Sequence, residues 1–174
     1  MVIIKCISGL FYAIVVKNVY FGPLRPSIVE VIDGQQRITT IYTLLCAITR
    51  FSERNNYPGA STMANTYLML SNNPTTGNKP KIEPTLKDVA QFNQIISELR
   101  SIENPSLLPN SGDGRRLRSM YLFHLREVEK RCIENGVYSE SKLENLIHHV
   151  TRNLAFVLIQ VPDEYDANRV FETL

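Results

Sequence analysis

The chain has 174 residues, 44% of them apolar, which is enough for a packed core and excludes a disordered or fibrous polypeptide. Lys and Arg number 19 against 17 Asp and Glu, and a net charge of +2 does not by itself argue for a polyanionic partner. Cys6, Cys46 and Cys132 are odd in number, scattered and without a C-x-x-C pair. Each falls in an apolar stretch, so they read as buried free thiols of a reducing, cytoplasmic protein, not as a disulfide framework or metal site.

Residues 2–16 form the most apolar stretch. Ile3, Ile4, Ile7, Leu10, Phe11, Ile14 and Val15 fit helical spacing and predict a buried helix, too short to span a bilayer; no membrane partner is expected. Residues 20–24 read as a short strand, and Pro23 and Pro26 argue against a central one. The connection onward is expected to bring Gly22 near the following turn. Residues 28–32 are β-branched around Glu30, a short half-buried strand. Asp33 and Gly34 break the pattern. Beyond them Ile38, Ile41, Tyr42, Leu45, Ile48 and Phe51 mark one face of a helix that fades over 50–56.

Residues 55–65 look like loop, with Pro58-Gly59 as the breaker. Residues 66–70 suggest a strand that pairs with 81–83 across an exposed turn over 71–79. Lys79 and Lys81 read either as solvated or as phosphate contacts. Pro84-Thr85 opens another helix, with Thr85 and Asp88 at capping-box spacing and a buried stripe of Leu86, Val89, Phe92, Ile95, Ile96 and Leu99. A polar loop follows over 102–114. Residues 115–134 form a long helix with Leu117, Tyr121, Leu125, Val128 and Cys132 inward and Asn135-Gly136 as its stop. Residues 139–153 form another, with Leu143, Leu146, Ile147 and Val150 inward. Its adjacent His148 and His149 cannot share a face, which argues against a histidine metal site. Residues 155–161 are nearly all apolar, a central strand. Asp163, Glu164 and Asp166 then lead the last helix, as caps or as Mg²⁺ ligands. The fold class is α+β: one domain over 1–174, a small mixed sheet holding the 28–32 and 155–161 strands, flanked by several long helices.

The turn between strand and first polar helix carries the chemistry. The first N–H groups of a helix lack partners within it, and the dipole makes that end a seat for phosphate. Gly34 permits close approach, Arg37 offers a planar fork for phosphate oxygens, and Gln35 and Gln36 can orient a base, a ribose or a water. Thr39 and Thr40 add hydroxyls. Asp33 reads as an ordinary helix N-cap or as a partner of Mg²⁺. No G-x-x-x-x-G-K-[ST] or G-x-G-x-x-G sequence is present.

Val31-Ile32-Asp33-Gly34-Gln35-Gln36-Arg37-Ile38-Thr39-Thr40-Ile41 resembles the signature of the N-terminal domain of GmrSD-type restriction endonucleases, a ParB/sulfiredoxin-like domain. A second segment, from Asp163-Glu164-Tyr165-Asp166 to Phe171-Glu172-Thr173-Leu174, resembles that family's acidic stretch leading into a helix. Lys79-Pro80-Lys81-Ile82-Glu83-Pro84 and Phe92 stand where the family has comparable features. The family carries a Tyr-, Gln- and Arg-bearing segment before the point where Met1 stands, and continues its second motif beyond Leu174. The chain is therefore expected to be truncated at both ends relative to the family.

The resemblance implies an NTP-binding and NTP-hydrolysing regulatory domain of a modification-dependent, type IV-like restriction or phage-defence system. It implies NTP with Mg²⁺ as cofactor, and DNA and a separate nuclease domain as partners. The implicated positions are Asp33, Gln35, Gln36 and Arg37 for catalysis, and Gly34, Gln35, Gln36, Arg37, Thr39 and Thr40 for nucleotide binding, with Asp33 as the candidate metal contact. Two alternatives stand beside it. One is a nucleotide-gated DNA-binding module without turnover, using the basic turn of Arg115, Arg116 and Arg118, whose positive charge at a helix start opposes the dipole. The other is an inactive fragment. No H-N-H-type segment is visible, so DNA cleavage is expected only from another domain.

Overall fold

The computed structural model describes residues 11–22, 25–70, 79–85, 87–99 and 115–160. In chain order the elements are β1 (Phe11–Gly22), β2 (Arg25–Asp33), α1 (Gln35–Arg54), α2 (Ala60–Met63), a π-helical turn (Ala64–Leu68), β3 (Met69–Leu70), β4 (Lys79–Pro80), α3 (Val89–Glu98), α4 (Arg115–Cys132), β5 (Ile133–Glu134), β6 (Val137–Tyr138), α5 (Glu140–Arg152) and β7 (Ala155–Gln160). The fold is α+β. Its contacts divide the chain into two compact units, Met1–Ile38 with His148–Leu174, and Thr39–Ile147.

The first unit is built on a three-stranded sheet in the order β2-β1-β7. β1 runs antiparallel to β2 and parallel to β7, with Phe11 opposite Ala155 and Val16 opposite Gln160. The helix expected over 2–16 is thus a strand from Phe11 onward; residues 2–10 lie outside the described residues. The reason is physical. A continuously apolar run satisfies helical spacing by default, so periodicity cannot arbitrate. The β-branched Ile14, Val15, Val16 and Val19, with Phe11, Tyr12, Tyr20 and Phe21, favour a pleated ladder. β7 is the predicted strand, but among the described strands it stands at an edge and β1 holds the centre. Pro26 sits in β2, the other edge, where a missing N–H is tolerated. Gly22 pairs with Arg25, at the opposite end of β2 from Gly34, which overturns the expected proximity of Gly22 to the turn.

In the second unit, residues 46–52 of α1 are all buried, so that stretch of the helix is enclosed on every side. Tyr42 stacks on Phe92 of α3 with ring centroids 5.4 Å apart, and Phe51 meets Tyr138 at 5.9 Å. Leu117, Tyr121, Leu125, Val128 and Cys132 of α4 are buried, all five as predicted, and so are Leu143 of α5 and Cys46. Each fully buried large side chain contributes about 1.5–3 kcal/mol relative to exposure. Two of the buried polar groups of α1 turn back onto its own backbone: Ser52 Oγ donates to the Ile48 carbonyl at 2.8 Å and Thr43 Oγ1 to that of Thr40 at 2.9 Å.

Four segments depart from expectation. The loop and strand foreseen over 55–70 hold α2 and the π-helical turn instead, and only Met69–Leu70 is strand. Tertiary contacts decide this: the Leu68 carbonyl accepts from Tyr42 Oη at 2.7 Å and from the Lys81 amide at 2.8 Å, fixing the end of the turn. The hairpin partner is Lys79–Pro80, two residues earlier than expected, while Lys81 Nζ donates to the Thr66 carbonyl. Thr85 and Asp88 do not form a capping box; α3 begins after Asp88, and Thr85 Oγ1 donates to the Asp88 carboxylate at 3.0 Å. Asn135 and Gly136, read as a helix stop, have φ of 52° and 79° and form the two-residue turn of the β5–β6 hairpin. The loop over 102–114, the turn over 71–78 and the helix after Asp163 lie outside the described residues.

Candidate functional site

The strand–turn–helix unit forms as the sequence suggests, with one refinement. Asp33 is the last residue of β2, paired with Val15, and Gly34 separates it from α1. The Gly34 carbonyl accepts the first helical bond, from the Ile38 amide at 3.0 Å. Gly34 therefore stands at the N-cap, which corrects the reading of Asp33 as that cap. Gly34 is buried with φ of 92°, a conformation that favours glycine. The chain passes from strand to helix across one residue for that reason.

A β-bulge sits directly before the turn. Val15 pairs with Asp33 but Val16 pairs with Val31, so Ile32 is an extra residue on β2. Bulges re-aim the strand that carries them, and this one sets the direction in which the chain enters the turn. Sequence reasoning missed it, because an extra β-branched residue in a β-branched run leaves no signature.

Gln35, Gln36 and Arg37 are exposed on the first turn of α1, which holds no carboxylate. Gln35 Nε2 donates to the Val31 carbonyl at 2.8 Å, tying that side chain back to the strand it follows. Thr39 is half-buried. Thr40 is exposed, and its hydroxyl donates to Met120 Sδ of α4 at 3.5 Å. The turn thus brings a glycine backbone, an exposed guanidinium and two exposed amides onto one helix start. Chemically that is a seat for an anion with hydrogen-bonding groups beside it.

The basic turn of α4 is divided. Arg116 is exposed, and Arg118 is half-buried within electrostatic reach of Glu98 at the end of α3. Desolvation raises the Glu98 carboxyl above its ordinary value, although Arg118, Arg50 and Arg54 pull it down. Arg50, 4% exposed, lies 3.7 Å from Glu53, and Arg54 lies 3.4 Å from Glu129 of α4. These arginines brace α1 against α3 and α4. Arg115 opens α4.

The His148 and His149 rings meet edge to face, with centroids 6.0 Å apart. Among the described residues no group of three or more His, Cys, Asp or Glu side chains is placed to hold a metal ion, and no helix is long and apolar enough to cross a membrane. Burial pushes the Cys46 thiol up, as suits an inert core cysteine.

No curated protein and no solved structure matches the chain. The family model described as GmrSD restriction endonuclease, N-terminal domain, matches residues 7–174. That span contains the strand–turn–helix unit and both segments of the resemblance, and the chain belongs to the GmrSD restriction endonuclease N-terminal domain family, a membership that implies a part in a restriction system.

Proposed function

We propose that the β2–α1 turn binds a nucleoside triphosphate and that the chain is an NTP-hydrolysing regulatory domain of a modification-dependent restriction or phage-defence system. The observation that carries this reading is Gly34 at φ of 92° in front of a carboxylate-free helix start bearing exposed Gln35, Gln36 and Arg37. In it, the first-turn amides and the Arg37 guanidinium hold phosphate oxygens. Gln36 orients the attacking water, Gln35 shapes the turn through its bond to Val31, and Thr39 and Thr40 flank the site. Mg²⁺ bound through phosphates needs only one or two protein carboxylates, and Asp33, next to the turn, fits that requirement. The chemistry is positioning and charge stabilisation, as in other phosphoryl transfers. Nucleotide turnover would license a separate nuclease domain acting on DNA. A second reading, a nucleotide-gated DNA-binding module without turnover, draws on Arg116 exposed at the start of α4.

Steady-state turnover of an NTP panel with Mg²⁺ tests the proposal. Wild type is expected to hydrolyse at least one NTP, and Arg37→Ala to lose more than about 10-fold, since charge-assisted phosphate contacts contribute about 1.5–3 kcal/mol. Binding without turnover selects the second reading. Neither turnover nor thermal stabilisation by any NTP refutes both.

A further inference from the structure

Charge is concentrated on one helix of this chain. α4 carries six cations against the carboxylates Glu127 and Glu129, a net +4, whereas the whole chain is +2. Three of those cations share one face. Opposite the buried stripe of α4, Arg116, Ser119, Phe123, Arg126 and Lys130 recur at three- and four-residue steps, and all five are exposed. They occupy about 80° of the helix circumference and about 21 Å of its length. Glu127 and Glu129 lie to either side, half-buried, and Glu129 is 3.4 Å from Arg54. Arg126 Nε donates to the Leu122 carbonyl at 3.2 Å, which steadies its stem along the helix. In the middle stands Phe123, 54% exposed. A phenylalanine on the outward face, with the apolar stripe turned the other way, has no part in the core.

We propose that this face of α4 is a DNA-binding surface: Arg116, Arg126 and Lys130 contact phosphates of a duplex, and Phe123 packs against sugar or base edges between them. The proposal deepens the DNA contact of the reading above, and it stands independently of the nucleotide turn. Charge complementarity selects the partner. Duplex DNA presents one charge per about 1.7 Å of axis, so a face of this length can meet phosphates along all of it. The centres of protein–protein interfaces are instead depleted in charge, whereas three of these five residues are cations. An exposed apolar ring flanked by cations suits a duplex groove, where the cations take phosphates and the ring packs on sugars or a thymine methyl.

The test is fluorescence anisotropy of a short labelled duplex of random sequence, titrated with the full chain over a range of salt, without nucleotide. The Arg116→Gln/Arg126→Gln/Lys130→Gln variant is expected to flatten the slope of log affinity against log salt by about 3 and to weaken binding more than about 10-fold at low salt. Each single substitution flattens it by about 1, and Phe123→Ala weakens binding at every salt concentration with the slope kept. Circular dichroism and stabilisation by NTP should match wild type, because the altered side chains are exposed. Wild-type affinity and slope in the triple variant would overturn the assignment of this face while leaving DNA as a partner. Absence of wild-type duplex binding at any salt would overturn both. Polyglutamate binding lost in the triple variant, with duplex binding unchanged, would give the face to an acidic protein and also overturn the proposal.

Discussion

Replacing Gly34 by alanine separates the turn's geometry from the protein's general stability. At φ of 92° any side chain is strained, and holding a non-glycine residue there costs about 1–3 kcal/mol. In a chain of 174 residues that corresponds to a Tm lower by about 2–12 °C. The alternative to bearing the strain is to rotate the peptide at the start of α1, and that moves the first-turn amides and the stem of Arg37 away from where the proposal seats phosphate. Gly136→Ala is the control. Gly136 has φ of 79°, a β-carbon there meets nothing within 4 Å, and the β5–β6 hairpin has no part in the turn. Its cost is backbone strain alone, about 1–2 kcal/mol. Thermal melts and NTP titration by calorimetry, run on both variants, are expected to show a lowered Tm in each. Only Gly34→Ala should lose nucleotide affinity, by more than about 10-fold. Wild-type affinity in Gly34→Ala, or an equal loss in Gly136→Ala, would refute the reasoning.

Two further predictions concern the second unit. Tyr42→Phe should destabilise by about 1 kcal/mol in denaturant melts, at the low end for a buried hydrogen bond, because the Leu68 carbonyl keeps its bond from the Lys81 amide when the hydroxyl is gone. A loss above about 3 kcal/mol would mean that the hydroxyl holds the π-helical turn in place by itself. His124 is half-buried, and its Nε2 is buried without a hydrogen-bond partner; desolvation lowers its pKa from the ordinary 6.5. The unfolded chain takes up that proton first, so this contribution is present above pH 6.5 and lost as pH falls through the folded value. The Tm of wild type minus that of His124→Gln should therefore shrink on acidification from neutral pH; a difference independent of pH would contradict the assignment.

The elements easiest to read were those with one dominant constraint. The buried face of α4 was legible residue by residue, since a helix in contact with a core on one side must repeat at 3.6. The strand–turn–helix unit was legible because Asp33-Gly34 interrupts an apolar frame with polar residues, a pattern that packing does not ask for. β1 was not legible: its helix and strand patterns coincide, and its partner β7 lies more than a hundred residues away. Nor was the use of Asn135-Gly136 as a hairpin turn, since the same pair also ends helices. The gap between Asp33 as cap and Gly34 as cap is one residue, within the usual uncertainty of helix ends, yet it decides whether the carboxylate belongs to the strand or to the helix. Phe123 went unremarked because a single apolar residue on a polar face looks ordinary until its neighbours' exposure is known.

A structure of the chain with a non-hydrolysable triphosphate and Mg²⁺ tests the central claim most directly. Phosphate oxygens are expected within hydrogen-bond reach of the Gln36 and Arg37 amides and of the Arg37 guanidinium, with Gly34 keeping its positive φ. A triphosphate seated on other residues at full occupancy would contradict it.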